Sequence, residues 1–124
     1  MITDPTDSTT PSGGAGANTP VTTIHEAELV PGLSGAVEYG LEIDEATAVA
    51  RRRIGENIVV RGSDTKANRS RAWWIESQVG PPTKPQFPHR RAGPEALPHF
   101  HQFSRSPSGH AFYETDKRKV RKKP

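Results

Sequence analysis

A chain of 124 residues with 12 prolines, 11 glycines, no cysteine and only 31% hydrophobic residues has room for one small domain. The missing cysteines exclude disulfide scaffolds, zinc ribbons and cysteine-liganded zinc deaminase sites, and no apolar run approaches the roughly 18 residues of a membrane span. Charge divides by position: residues 1–49 hold eight acids and no Lys or Arg, whereas residues 50–124 hold all seventeen Lys and Arg against six acids, a net of +11. A basic second half favours a polyanionic partner, nucleic acid first and an anionic membrane surface second.

Residues 1–20 are rich in Thr, Ser, Pro, Gly and Asp, have almost nothing to bury, and are expected to form a disordered linker or tail. They lack the basic and apolar regions of a signal peptide. Residues 21–43 form a lead-in without a clear pattern, apart from a short strand at Val21–His25 and a turn at Pro31–Gly35. Asp44 is an N-cap, Glu45 lies in the first turn, Arg51, Arg52 and Arg53 lie in the last, and Gly55 is a stop. Together these predict a helix of about ten residues. Asn57–Arg61 reads as a strand bounded by glycines. A second helix begins at Ser63 or Asp64 and ends at Val79-Gly80-Pro81-Pro82, with Ala67, Trp74 and Ile75 as its expected buried stripe. Trp73 and Trp74 point about 100° apart, so one is expected in the core and the other partly exposed. A proline-rich crossing loop follows over residues 80–98.

Two aromatic runs, Leu97–Phe103 and Gly109–Glu114, flank a polar segment and predict a β-hairpin. With Phe103 opposite His110, the residues His99, His101, Phe103, His110, Phe112 and Glu114 share one face. Phe100, Ala111 and Tyr113 then face a helix. The expected class is α+β: two short helices on a small, mainly antiparallel sheet with a C-terminal hairpin. The compact domain is placed at residues 44–116 and a basic tail at 117–124.

A face with three imidazoles suits metal-independent RNA cleavage, in which one histidine takes the proton from the 2′-hydroxyl and another gives one to the leaving oxygen. His99, His101 and His110 are the candidates, with Glu114 to orient a ring. Arg61, Lys66, Arg69, Arg90 and Arg91 are the candidates for holding phosphate. Three other readings stay open: a binding module whose histidines are incidental, a divalent-metal site using His-x-His with a third ligand, and a polar sheet face with no chemistry. No cofactor is expected. The junction Val60–Arg69 can form an anion site at a helix N-terminus or simply be a capped helix.

The segments Ile58-Val59-Val60, Thr65-Lys66-Ala67-Asn68-Arg69, Ile75-Glu76, Val79-Gly80-Pro81, Ala92-Gly93-Pro94, Ala96-Leu97-Pro98-His99-Phe100 and Gly109-His110-Ala111-Phe112-Tyr113-Glu114 together resemble the C-terminal toxin domains of bacterial polymorphic toxins. These are the variable modules of RHS-type and contact-dependent delivery proteins. The resemblance spans roughly residues 45–118. It implies a small α+β ribonuclease, often metal-independent, delivered into the cytoplasm of a target cell and neutralised by an immunity protein. His99, His101 and His110 would then fall where such domains keep catalytic residues. One departure from the family pattern is that the chain begins with its own methionine and carries no delivery region, which leaves an excised module, an orphan or something else open; a monomer is expected.

Overall fold

The computed structural model describes residues 20–32, 35–88, 93 and 95–123. The expected disordered segment is therefore almost wholly outside the described residues, as are His89, Arg90 and Arg91.

The fold is α+β, with two helices on a six-stranded mixed sheet. Residues 21–43, left largely without elements by sequence reading, supply β1 (Thr23–Leu29) and β2 (Val37–Ile43), paired antiparallel. A bulge interrupts the pair between His25 and Ala27: opposite Glu26, β2 carries both Gly40 and Leu41. An extra residue inverts side-chain alternation along the bulged strand, which removes the period-two signal on which strand recognition relies.

Helix α1 (Glu45–Arg53) begins where its capping chemistry predicts: the Asp44 carboxylate accepts the Thr47 N–H at 2.8 Å. It ends at Gly55, whose φ of 86° is the left-handed cap that glycine adopts without a Cβ clash. Strand β3 (Ile58–Arg61) lies inside the sheet, with Ile58, Val59 and Val60 fully buried. That continuous apolar run is what a strand covered on both faces requires.

Helix α2 (Thr65–Val79) is capped by Asp64, which accepts the Ala67 N–H at 2.8 Å. Its phase differs from the expected one. The buried stripe is Asn68, Ala72, Ile75 and Glu76, while Ala67 is half-buried and Trp74 is 42% exposed. Two polar side chains turn inward because each finds partners there. Asn68 Nδ2 donates to the carbonyls of Gly62 and Glu114, and Glu76 meets an arginine. A stripe chosen by hydrophobicity alone misses this rotation.

The hairpin forms between β4 (His99–Phe100) and β5 (Ala111–Tyr113), but in another register: His99 pairs with Phe112 and Phe100 with Ala111. The offset from the expected pairing is two residues, so each side chain keeps its face. Phe100, Ala111 and Tyr113 join Ile24, Ile58, Val60, Ala72 and Ile75 in the core beneath the helices. Phe112 packs on the opposite face with Val59, Leu97 and Val120. The long proline-rich loop covers the outer edge of β4, exchanging hydrogen bonds between Gln86 and His99 (2.8 and 2.9 Å) and donating from Thr83 N–H to the His101 carbonyl (2.9 Å). Within the expected basic tail, β6 (Arg121–Lys122) pairs parallel with β2, giving the strand order β4-β5-β3-β1-β2-β6. The hairpin is thus not the last element of the sheet. Among the described residues no helix is long and apolar enough to cross a membrane.

Phe100 and Phe103 provide an internal comparison, being 2% and 77% exposed. Phe100→Ala is expected to cost about 3–5 kcal/mol in urea unfolding, and Tyr113→Ala a similar amount. Phe103→Ala should cost about 0.5 kcal/mol. Equal losses for the two phenylalanines would contradict the register described above.

Candidate active site

The two-residue offset keeps three histidines together. His99 stands on β4, His101 just beyond its end, and His110 immediately before β5. Ring centroids are 4.5 Å apart for His99–His110 and 6.1 Å apart for both His99–His101 and His101–His110. Phe112 floors the group, with its ring 5.4 Å from His99 and 5.3 Å from His110.

The tautomers follow from the partners. A backbone carbonyl only accepts, so a ring nitrogen facing one must carry the hydrogen. His99 Nδ1 faces the Leu97 carbonyl at 3.3 Å and His101 Nδ1 faces the Gln102 carbonyl at 2.8 Å. In both neutral rings Nε2 is therefore left with its lone pair. The Nδ1 of His110 is buried and has no hydrogen-bond partner among the described residues. The loop holding His110 is fixed from behind, because its backbone N–H donates to Asn57 Oδ1 at 2.8 Å. Gly109, at φ 94°, lets the chain pass so close that a Cβ there would lie 2.6 Å from the Gly55 carbonyl oxygen and 2.7 Å from Arg52 Nη1. Only glycine fits that position without strain.

Burial sets the electrostatics. It pushes His110 down to about 4, and the neighbouring charges of His99, His101, Arg52 and Arg105 act in the same direction. His99 is lowered as well, chiefly by burial, with His101 and Arg105 contributing and the Leu97 carbonyl opposing. Both rings are thus neutral around pH 7.

Arg105 was not among the sequence candidates. It lies in the loop between β4 and β5, is exposed, and adopts a φ of 64°, a left-handed conformation that costs a non-glycine residue energy. Its only sequence signal is its place in a Ser-Arg-Ser-Pro segment between the two histidine runs.

The other candidates lie elsewhere. Glu114 is buried at the far end of β5, four residues from His110 or about 13 Å along an extended strand. There it accepts Arg61 Nε at 3.3 Å and the Val120 N–H at 3.0 Å, so it orients no imidazole of the cluster. Arg61 also stacks on Tyr39, with its guanidinium carbon 3.9 Å from the ring centre. Lys66 and Arg69 belong to the first turns of α2, beyond that same end of β3. The α2 N-terminus takes its own Asp64 as cap, which favours the capped-helix reading of this junction over an anion site. Arg90 and Arg91 lie outside the described residues. His25 stands apart, its Nδ1–H donating to the Gly40 carbonyl at 3.1 Å while its Nε2 meets Thr23 Oγ1 at 3.0 Å. Among the described residues no three His, Asp or Glu side chains converge as a metal-holding group.

Comparisons with protein-family models, curated proteins and solved structures return no match.

The lowered histidines make stability depend on pH. The unfolded chain takes up a proton near 6.5 and the folded His110 only near 4. The unfolded state therefore binds more protons in that window. Stability should be complete above about pH 6.5 and fall as pH drops toward 4, and His110→Leu should flatten the decline. A melting temperature that rises on acidification, or a slope unchanged in His110→Leu, would exclude a depressed His110.

Proposed function

We propose that the imidazole cluster cleaves RNA by general acid–base catalysis without a metal, in an effector domain of the polymorphic-toxin kind. The reading is carried by one observation: three imidazoles within 4.5–6.1 Å of one another, two of them oriented by carbonyls so that Nε2 is free. Its partners would be RNA and a cognate immunity protein, and its place of action the cytoplasm of a target cell.

His99 suits the base. It is neutral at pH 7, and Nε2 can take the 2′-hydroxyl proton as the oxygen attacks phosphorus. His101 suits the acid, because its Nδ1–H is held by the Gln102 carbonyl and stays bonded whether or not Nε2 carries a proton. As the acid, Nε2 passes its proton to the departing 5′-oxygen. The P–O5′ bond breaks and a 2′,3′-cyclic phosphate forms. Arg105 supplies a cation for the phosphorane charge.

Cleavage of a generic RNA should persist in EDTA, and His99→Ala or His101→Ala should lower it by about 10²–10⁴-fold. The acid limb of kcat/KM should lie below pH 6.5, because the base is depressed. Arg105→Ala should move that limb upward, since removing a positive charge eases protonation of His99. Expression should arrest growth, and the His99→Ala, His110→Ala double variant should relieve the arrest. Full activity in a variant lacking all three histidines would reject the mechanism. RNA binding without cleavage would leave a binding module.

A further inference from the structure

We propose that the solvent face of α2 is a stacking platform for single-stranded nucleic acid, built on Trp73 and Trp74. This deepens the RNA reading above by naming a strand-binding surface, and rests on it only for the choice of polymer.

The two indoles are 48% and 42% exposed, and neither belongs to a core cluster. Indoles are among the most effective core-filling side chains, yet each of these two adjacent ones keeps nearly half of its surface in water. Their setting is one-sided in charge. The single acid of α2, Glu76, is fully buried, so the helix shows no carboxylate to solvent between Thr65 and Val79. Exposed Lys66, Ser70 and Gln78 lie on the same side as the tryptophans at helical spacing. Beyond Trp74, Arg53 of α1 reaches across to donate to the Gln78 carbonyl at 3.2 Å, placing a second cation at that end of the face. Glu45, in the first turn of α1, is paired with Arg71 Nε at 2.6 Å.

Flat aromatic faces flanked by cations and by hydroxyl and amide donors match the chemistry of unpaired bases on a phosphate chain: rings stack on bases and cations follow the backbone. Ser70 between the indoles and Gln78 just beyond Trp74 argue against a membrane, which would reward aliphatic side chains there. An acidic protein would satisfy the charges but would not need two exposed indoles. A duplex hides its base faces.

Fluorescence anisotropy of a labelled short oligouridylate tests the proposal at several salt concentrations. The protein used is a His99→Ala, His101→Ala variant, so that cleavage does not interfere. Trp73→Ala with Trp74→Ala should weaken binding by roughly 5- to 150-fold while leaving the salt slope unchanged, because stacking releases no counterions. Lys66→Ala with Arg53→Ala should instead flatten the slope. Trp73→Phe with Trp74→Phe should retain much of the affinity, which separates stacking from damage to the fold. Unchanged affinity in the double alanine variant overturns the platform, as does equal binding of a duplex or of polyglutamate. Weakened binding in the double alanine variant, together with cleavage that persists in the histidine variants, would instead discard the catalytic reading and leave the platform standing.

Discussion

Arg52 and Glu76 are both fully buried, and their side chains meet in a two-pronged pair, Nε to Oε1 at 2.8 Å and Nη2 to Oε2 at 3.0 Å. Withdrawing two such charges from water costs several kcal/mol each, so the pair is tolerable only with further hydrogen bonds around it. The surroundings supply them, and four of the five guanidinium N–H groups have acceptors. Arg52 Nη1 donates to the carbonyls of Glu56 and Ser108, both at 2.9 Å, and Glu76 Oε2 accepts Gln102 Nε2 at 2.6 Å. The partners come from α1, α2 and both ends of the loop between β4 and β5. One desolvated pair therefore fixes the two helices to each other and the loop to both. Losing one member would strand a charge in the interior, which typically costs about 3–5 kcal/mol.

The imidazoles inherit their positions from that pair. Gln102, anchored on Glu76, offers its own carbonyl to His101 Nδ1. Ser108, held by Arg52, leads through Gly109 to His110. Neither Arg52 nor Gln102 stands out in the sequence as belonging to a site, because a buried arginine in an Arg51-Arg52-Arg53 run looks like the basic end of any helix. Position on the inner face, one turn from Ala48 and Val49, is the only sign, and it becomes meaningful once Glu76 is known to turn inward too.

Both helices were legible because their caps are local: Asp44 and Asp64 each bond an N–H three residues on, and such contacts need no knowledge of the fold. Strand β3 was legible for the same reason. The faces of the hairpin survived an error of two in its register, since side-chain parity repeats every two residues. What failed was non-local. The bulged β1–β2 pair lacks alternation, β6 is two residues of a basic run that become a strand only against β2, and α2 turns polar groups inward to partners far along the chain. Glu114 was placed on the correct face of β5 but belongs to the Arg61–Tyr39 end of the sheet, a distance that face alone does not reveal.

Three imidazoles this close cannot all be charged. Two unit charges 4.5 Å apart repel by about 3–4 kcal/mol at an effective dielectric near 20, and burial adds to the cost of ionising His99 and His110. Arg105 increases the same pressure from an unfavourable left-handed backbone. Every one of these features lowers stability in acid, and the core beneath the helices is packed instead by the neighbouring Phe100, Ala111 and Tyr113. A sheet face selected only for folding would replace such rings with apolar side chains like Phe112. Keeping neutral, desolvated imidazoles beside a cation is intelligible if an anion enters between them, because its charge offsets both the repulsion among protonated rings and the field of Arg105.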